Sequence, residues 1–212
     1  MTTTAQTTLT GVGERARAAR LRPLAAQRAF GLLLDTLARP GTIAHLDVPP
    51  SVPAALLPAA TLADVETTLA VLDDGGWAEA VYAATGSPRA ELPDADIVLT
   101  LRRITADEVA SLRRGSAEAP ERGARLIAAV DALHTGEGAL RLSLTGPGVP
   151  GRREVTVDGL DPAAVSALAA VNAEFPAGVD VHLVAADGAL LSLPRSTNIR
   201  IDHDTTDEGK VR

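Results

Sequence analysis

Two apolar runs near the C-terminus, Val179–Ala185 and Ala189–Leu193, are separated only by Ala186-Asp187-Gly188. A three-residue link ending in Asp-Gly closes a tight turn, so the two runs read as an antiparallel hairpin. The other apolar runs, Ile97–Leu101, Ala124–Val130 and Ala139–Leu144, stand among segments with helix and turn signals. Interleaved helices and strands with at least one hairpin predict the α/β class, with a mixed β-sheet flanked by helices.

The remaining elements follow from periodicity and punctuation. Phe30, Leu33, Leu34 and Leu37 lie at helical spacing in a helix from Leu24 to Arg39, which Pro40-Gly41 stops. A short strand, Thr42–Leu46, follows. Pro49, Pro50, Pro53 and Pro58 stiffen a connection to a second expected helix, Ala59–Leu72. Asp73-Asp74-Gly75-Gly76 signals a turn into an expected strand, Trp77–Tyr82. Thr105 and Glu108 form a capping box that opens a helix ending near Gly115. Arg153–Val157 alternates as a strand, Asp161-Pro162 opens a helix running to about Glu174, and Asn198–Ile201 reads as a last strand. Residues 1–22 are expected to be a weakly ordered leader, residues 23–201 a single α/β domain, and residues 202–212 a polar tail.

Composition removes whole classes of chemistry. The 212 residues include no cysteine, so the chain offers no thiolate nucleophile, no zinc finger and no thiolate ligand for an iron–sulfur cluster. Of its 20 basic residues only Lys210 is lysine, and it sits in a polar terminal segment. That position is poorly suited to a pyridoxal phosphate Schiff base, and no phosphate-binding loop of the G-x-x-x-x-G-K-[ST] type is present. A net charge of −7 and only four aromatics (Phe30, Trp77, Tyr82 and Phe175) argue against nucleic acid as a partner. The basic cluster Arg15, Arg17, Arg20, Arg22 and Arg28 reads as part of a solvated N-terminal segment. Without an apolar leader or a run of about 18 apolar residues, no membrane association is expected and the cytoplasm is the expected location.

No catalytic residue, cofactor site or metal site stands out. His45, His134, His182 and His203 are scattered, and only Asp202-His203-Asp204 places possible metal ligands together. Anion binding has better candidates. Thr145-Gly-Pro-Gly148 either presents backbone amides or forms a plain tight turn, and Arg152-Arg153 behind it carries guanidinium forks suited to phosphate or phosphonate oxygens. In Leu193-Pro-Arg-Ser-Thr197, Arg195, Ser196 and Thr197 follow the end of a strand, where open α/β sheets gather ligands. The same three residues could instead cap a turn or join a subunit interface.

Several of these segments together resemble a known family. Gln27-Arg-Ala-Phe30 through Leu37-Ala-Arg-Pro-Gly-Thr-Ile43 is similar to the N-terminal helix and turn of the PhnH family. So are Phe175-Pro-Ala-Gly-Val-Asp180 and Leu190-Leu-Ser-Leu-Pro-Arg-Ser-Thr197 to its F-P-x-G-[IV]-D and L-P-R-[ST]-T elements. Leu112–Ala128 and Leu140-Arg-Leu-Ser-Leu-Thr-Gly-Pro-Gly148 keep the family's order, so the resemblance spans about residues 23–201, while Gly76–Ala95 is shorter and richer in alanine. It implies a fold like that of pyridoxal-phosphate-dependent transferases without the cofactor site, and a homodimer. It also implies assembly with the G, I and J subunits of the carbon–phosphorus lyase complex. With the G, I and L subunits, such a chain supports transfer of ribose triphosphate from MgATP to an alkylphosphonate, while the radical iron–sulfur cluster belongs to the J subunit. The alternative is a stand-alone small-anion-binding or transferase domain outside the complex.

Overall fold

A computed structural model describes residues 11–202. In chain order the elements are α1 (Val12–Ala19), α2 (Pro23–Ala38), β1 (Ala44–His45), α3 (Leu56–Leu62), β2 (Leu69–Leu72) and α4 (Ala78–Thr85). They continue with β3 (Ile97–Thr100), α5 (Ala106–Ser111), β4 (Arg125–Val130), β5 (Ala132–His134), β6 (Arg141–Thr145) and β7 (Arg153–Asp158). The last are α6 (Pro162–Val171), β8 (Asp180–Ala185), β9 (Ala189–Leu193) and β10 (Asn198–Ile201).

Six strands form the main sheet in the order β1-β9-β8-β4-β3-β2. β2, β3, β4 and β8 run parallel, while β9 and then β1 add antiparallel, so the sheet is mixed as the hairpin required. The expectation of one sheet is incomplete. β10, β6, β7 and β5 form a separate antiparallel sheet of four strands. Its residues alternate in polarity: Leu142, Leu144, Val155 and Val157 are fully buried on one face, while on the other Arg141 and Glu154 reach solvent and Ser143 and Thr156 are buried. An antiparallel sheet with one apolar and one polar face satisfies that pattern by packing its apolar face on the main sheet.

The main sheet is buried on both faces, and its strands are accordingly almost continuous in apolar residues. One face packs Leu126, Leu183 and Leu191 against the small sheet and α6, through Leu142, Leu144 and Leu168. The other packs Ile127, Val184 and Leu190 against helices, through Leu33 of α2 and Leu56 of α3. The first core leaves an apolar void of only about 20 Å³, the room of a single water, and so holds no ligand.

Three local expectations are corrected. Part of the expected leader, residues 12–19, is a helix that buries Ala16 and Ala19, and residues 1–10 of that leader lie outside the described residues. The Arg15 guanidinium donates to the Gly75 carbonyl at 3.1 Å and lies 5.3 Å from the centroid of the Trp77 ring. The arginine cluster is thus partly committed to packing α1 on α4. Second, the expected helix Ala59–Leu72 is α3 followed by β2. The Asp64 carboxylate accepts the amides of Glu66 and Thr67 at 2.9 and 3.1 Å, a local turn that ends the helix. Third, the expected strand Trp77–Tyr82 lies mostly in α4. The Asp73 carboxylate accepts the amides of Trp77 and Ala78, and Gly86, in the left-handed region, closes the helix through the Tyr82 carbonyl. The capping box of α5 forms as read. There the Arg102 fork, assisted by the Thr105 backbone and hydroxyl, holds the Glu108 carboxyl down to about 2 against the opposing cost of burial.

Candidate functional site

The small sheet decides where the sequence-derived residues meet. Its register aligns Asn198 with Thr145 and Leu144 with Arg153. Thr197, the Thr145–Gly148 turn and Arg152-Arg153 therefore share one end of that sheet. A methyl group on Gly146 would stand 2.8 Å from the Ser196 carbonyl oxygen, and one on Gly148 would stand 2.3 Å from the Ala38 carbonyl oxygen. The turn after α2 thus closes over the same end, and segments distant in sequence converge there.

Within this assembly the arginines are engaged unequally. Arg195 forks onto Asp180, with Nε to Oδ1 at 3.2 Å and Nη2 to Oδ2 at 2.8 Å, while its backbone amide donates to Oδ1 at 2.8 Å. Its remaining nitrogen, Nη1, donates to the Pro120 carbonyl at 2.6 Å. The side chains of the pair are only 14% and 17% exposed. Burial opposes ionisation of Asp180, but the hydrogen bonds and charge of Arg195, aided by Arg125, outweigh it and hold the carboxyl below its ordinary range. Arg153 donates to the Thr42 hydroxyl at 2.6 Å and the Pro40 carbonyl at 3.3 Å. Arg152 pairs with Asp202 at 2.9 Å and Glu154 at 3.5 Å, yet its side chain stays 56% exposed. Ser196 is half-buried, and the buried Thr197 hydroxyl has no hydrogen-bond partner among the described residues.

Arg195 and Arg153 therefore staple turns, while the Arg152 guanidinium, drawn to Asp202 at the other end of β10 from Thr197, remains open to exchange, since exposed ion pairs are worth little. The rule that ligands gather at strand C-terminal ends also needs correcting for β9. That strand runs against β8, pairing Leu193 with Val181, so its end lies at the amino-terminal edge of the parallel strands. At the opposite, carboxyl edge Arg102 pairs with Glu108 at 2.6 Å and Arg103 with Asp131 at 2.8 Å.

The segments that carry Asp180 and Arg195 are two of those on which the family resemblance rests. A model of the family described as bacterial phosphonate metabolism protein (PhnH) matches residues 20–200. The chain belongs to the PhnH family. It is similar to the alpha-D-ribose 1-methylphosphonate 5-triphosphate synthase subunit PhnH of Rhizobium meliloti (strain 1021), at 31% identity over 188 residues, covering 82% of this chain and 90% of that protein. It is also similar to the putative C-P lyase subunit protein HtxG of Stutzerimonas stutzeri, at 40% identity over 92 residues, covering 43% of this chain and 45% of that protein. The chain thus spans less than half of HtxG and most of the Rhizobium protein.

For a PhnH-family chain, the F-P-x-G-[IV]-D and L-P-R-[ST]-T elements act here as one unit, because Asp180 ends the first and Arg195 lies in the second. Sequence reading singled out Arg195 and missed Asp180 as its partner. The available signal was a lone acid opening one strand of a hairpin and an arginine just past the end of the other. Among the described residues, no group of three or more His, Asp or Glu is arranged to hold a metal ion, and no helix is long and apolar enough to cross a membrane. Of Asp202-His203-Asp204, only Asp202 lies within the described residues, and it pairs with Arg152.

Proposed function

We propose that this chain is the PhnH-type subunit of a cytoplasmic bacterial carbon–phosphorus lyase core complex. With the G, I and L subunits it supports transfer of ribose triphosphate from MgATP to an alkylphosphonate. The family match over residues 20–200 carries this reading. The chain's work is structural or substrate-organising, because its described arginines are largely spent on its own turns and pairs. Arg152, more than half exposed, is the contact left for an anionic group, with Ser196 and Thr197 as further candidates. MgATP and the radical iron–sulfur cluster belong to other subunits, since a chain without cysteine brings no thiolate to a cluster. The chain's one lysine is Lys210, outside the described residues, so the described residues offer no Schiff-base lysine to pyridoxal phosphate.

Co-expression with the G, I and J subunits tests this reading. A tag on this chain is expected to co-purify all of them through size exclusion. Elution of the chain alone would place it outside the complex.

The same reading includes a homodimer, and α2 supplies a face for it. Leu24, Phe30 and Leu34 are 57%, 45% and 52% exposed on this helix. A groove of about 1020 Å³ runs between α2 and residues 45–50, lined in part by Arg28, Gly31 and Asp35. Nothing stands within 4 Å of where a methyl on Gly31 would sit. Two copies of α2 crossing antiparallel at Gly31 would bring Arg28 beside Asp35 of the partner subunit, and a two-fold axis repeats the pair. Leu34→Arg puts a charge in that contact. It is expected to convert the dimer to monomer in analytical ultracentrifugation with the far-ultraviolet circular dichroism unchanged, and a variant that stays dimeric would exclude this face.

A further inference from the structure

Beneath α2 lies a fully buried polar chain: His182 Nδ1 stands 2.7 Å from Ser192 Oγ, which stands 2.6 Å from Thr36 Oγ1. Thr36 Oγ1 in turn lies 2.9 Å from the Leu32 carbonyl oxygen and 3.2 Å from that of Leu33. None of the three side chains is open to solvent: the residues are 1%, 0% and 1% exposed for His182, Ser192 and Thr36. They join β8, β9 and α2 amid the apolar residues Leu33, Ile127, Val184 and Leu190.

Proton counting orders this chain. A carbonyl oxygen only accepts, so the Thr36 proton points to Leu32, where two oxygens at 2.9 Å would otherwise repel. A hydroxyl has one proton, so Thr36 must accept from Ser192. Ser192, having donated its proton, must then accept from the His182 ring. We propose that His182 is held as the Nδ1–H tautomer at the head of a one-way hydrogen-bond chain, and that this chain is an acid-sensitive latch holding α2 on the sheet.

Acid acts on Nε2, which has no hydrogen-bond partner among the described residues. Protonation there leaves the Nδ1–H bond in place but puts a full positive charge in a dry apolar site. Facing the ring, β4 brings the Arg125 guanidinium, which repels that charge. Asp180 on β8 attracts it, but Asp180 is already matched by Arg195. β9 and α3 carry no charged residue, and on α2 Arg28 and Asp35 are both exposed, Asp35 pairing with Arg39. Burial first, and Arg125 second, hold the ring down to about 4 from an ordinary 6.5. Lifting α2 returns the ring to water and removes that penalty, so acid selects the open state. The latch is complete above pH 6.5 and weakens as pH falls from there toward about 4.

The full chain provides the test. Long-range nitrogen–proton correlation spectra at neutral pH are expected to show Nδ1 of His182 protonated and Nε2 bare. An Nε2–H tautomer would overturn the proposal. Amide hydrogen exchange, corrected for intrinsic rates, is expected to accelerate in residues 23–38 by roughly 30-fold between pH 7.5 and pH 5, ahead of β6 and β7. His182→Asn, whose amide donates near the Nδ1 position, is expected to keep α2 docked and remove the acceleration. Exchange in α2 that ignores pH, or that rises only in step with β6 and β7, would overturn the latch, and the wild-type measurements decide this even if the variant fails to fold.

Discussion

Replacing Asp180 with alanine is expected to destabilise the chain by about 3–5 kcal/mol, the usual cost of stranding one member of a buried ion pair. The loss is read as a drop in the midpoint of urea unfolding. Three donor groups lose their acceptor at once: Nε and Nη2 of Arg195 and its backbone amide. The stranded guanidinium, only 14% exposed, then keeps a single bond to Pro120. Arg195→Ala breaks the same staple from the other side, and the double variant is expected to recover about 2–3 kcal/mol relative to the sum of the single losses. Additive losses would show that the two residues act independently. Because the Asp180 carboxyl is held below its ordinary value of 3.8, its contribution is full above that value and is lost as pH falls through the lower, folded one. Growth on methylphosphonate is expected to fail with Arg195→Ala in proportion to the folded protein lost. A variant of wild-type stability that still abolished growth would instead make Arg195 a substrate contact.

Gly148→Ala is the second large effect. With φ at +78°, alanine there meets left-handed strain of about 1–2 kcal/mol. The added methyl also lands 2.3 Å from the Ala38 carbonyl oxygen and 2.9 Å from the Pro40 ring. A backbone oxygen on the end of α2 has no rotamer by which to yield, so the turn must separate from Ala38. The combined expected cost is about 3 kcal/mol or more, in the range reserved for core strain. Gly151→Ala is the control: it has a similar φ of +70° but nothing within 4 Å of its added methyl, so only the strain remains. Equal losses in the two variants would show that the contact with Ala38 contributes nothing.

Legibility followed the range of the interactions. The α5 capping box, the proline-led start of α6 and the β8–β9 hairpin are local devices, each closed within a few residues, and all three stand as read. The misread segments, 59–72 and 77–82, failed because single carboxylates overrode propensity. Asp64 ended one helix and Asp73 began another, through bonds to backbone amides that periodicity does not register. At the convergent end, the arginines themselves were visible in sequence, but their engagement was not. Whether a guanidinium waits for a ligand or is already spent depends on groups 15 residues away for Arg195 and 111 for Arg153.

The sequence by itself determined the α/β class, the mixed sheet, the stop of α2 at Pro40-Gly41 and the absence of a thiolate. Each follows from residue identity or from contacts within a turn or two. Only the tertiary structure decided that there are two sheets, that the end of β9 lies at the amino edge of the parallel strands, and that Asp180 neutralises Arg195. It alone also stacked His182, Ser192 and Thr36 beneath α2. Those facts depend on strand direction and register, which bring together residues the chain keeps far apart. A buried charge or proton is then set by what the fold places beside it.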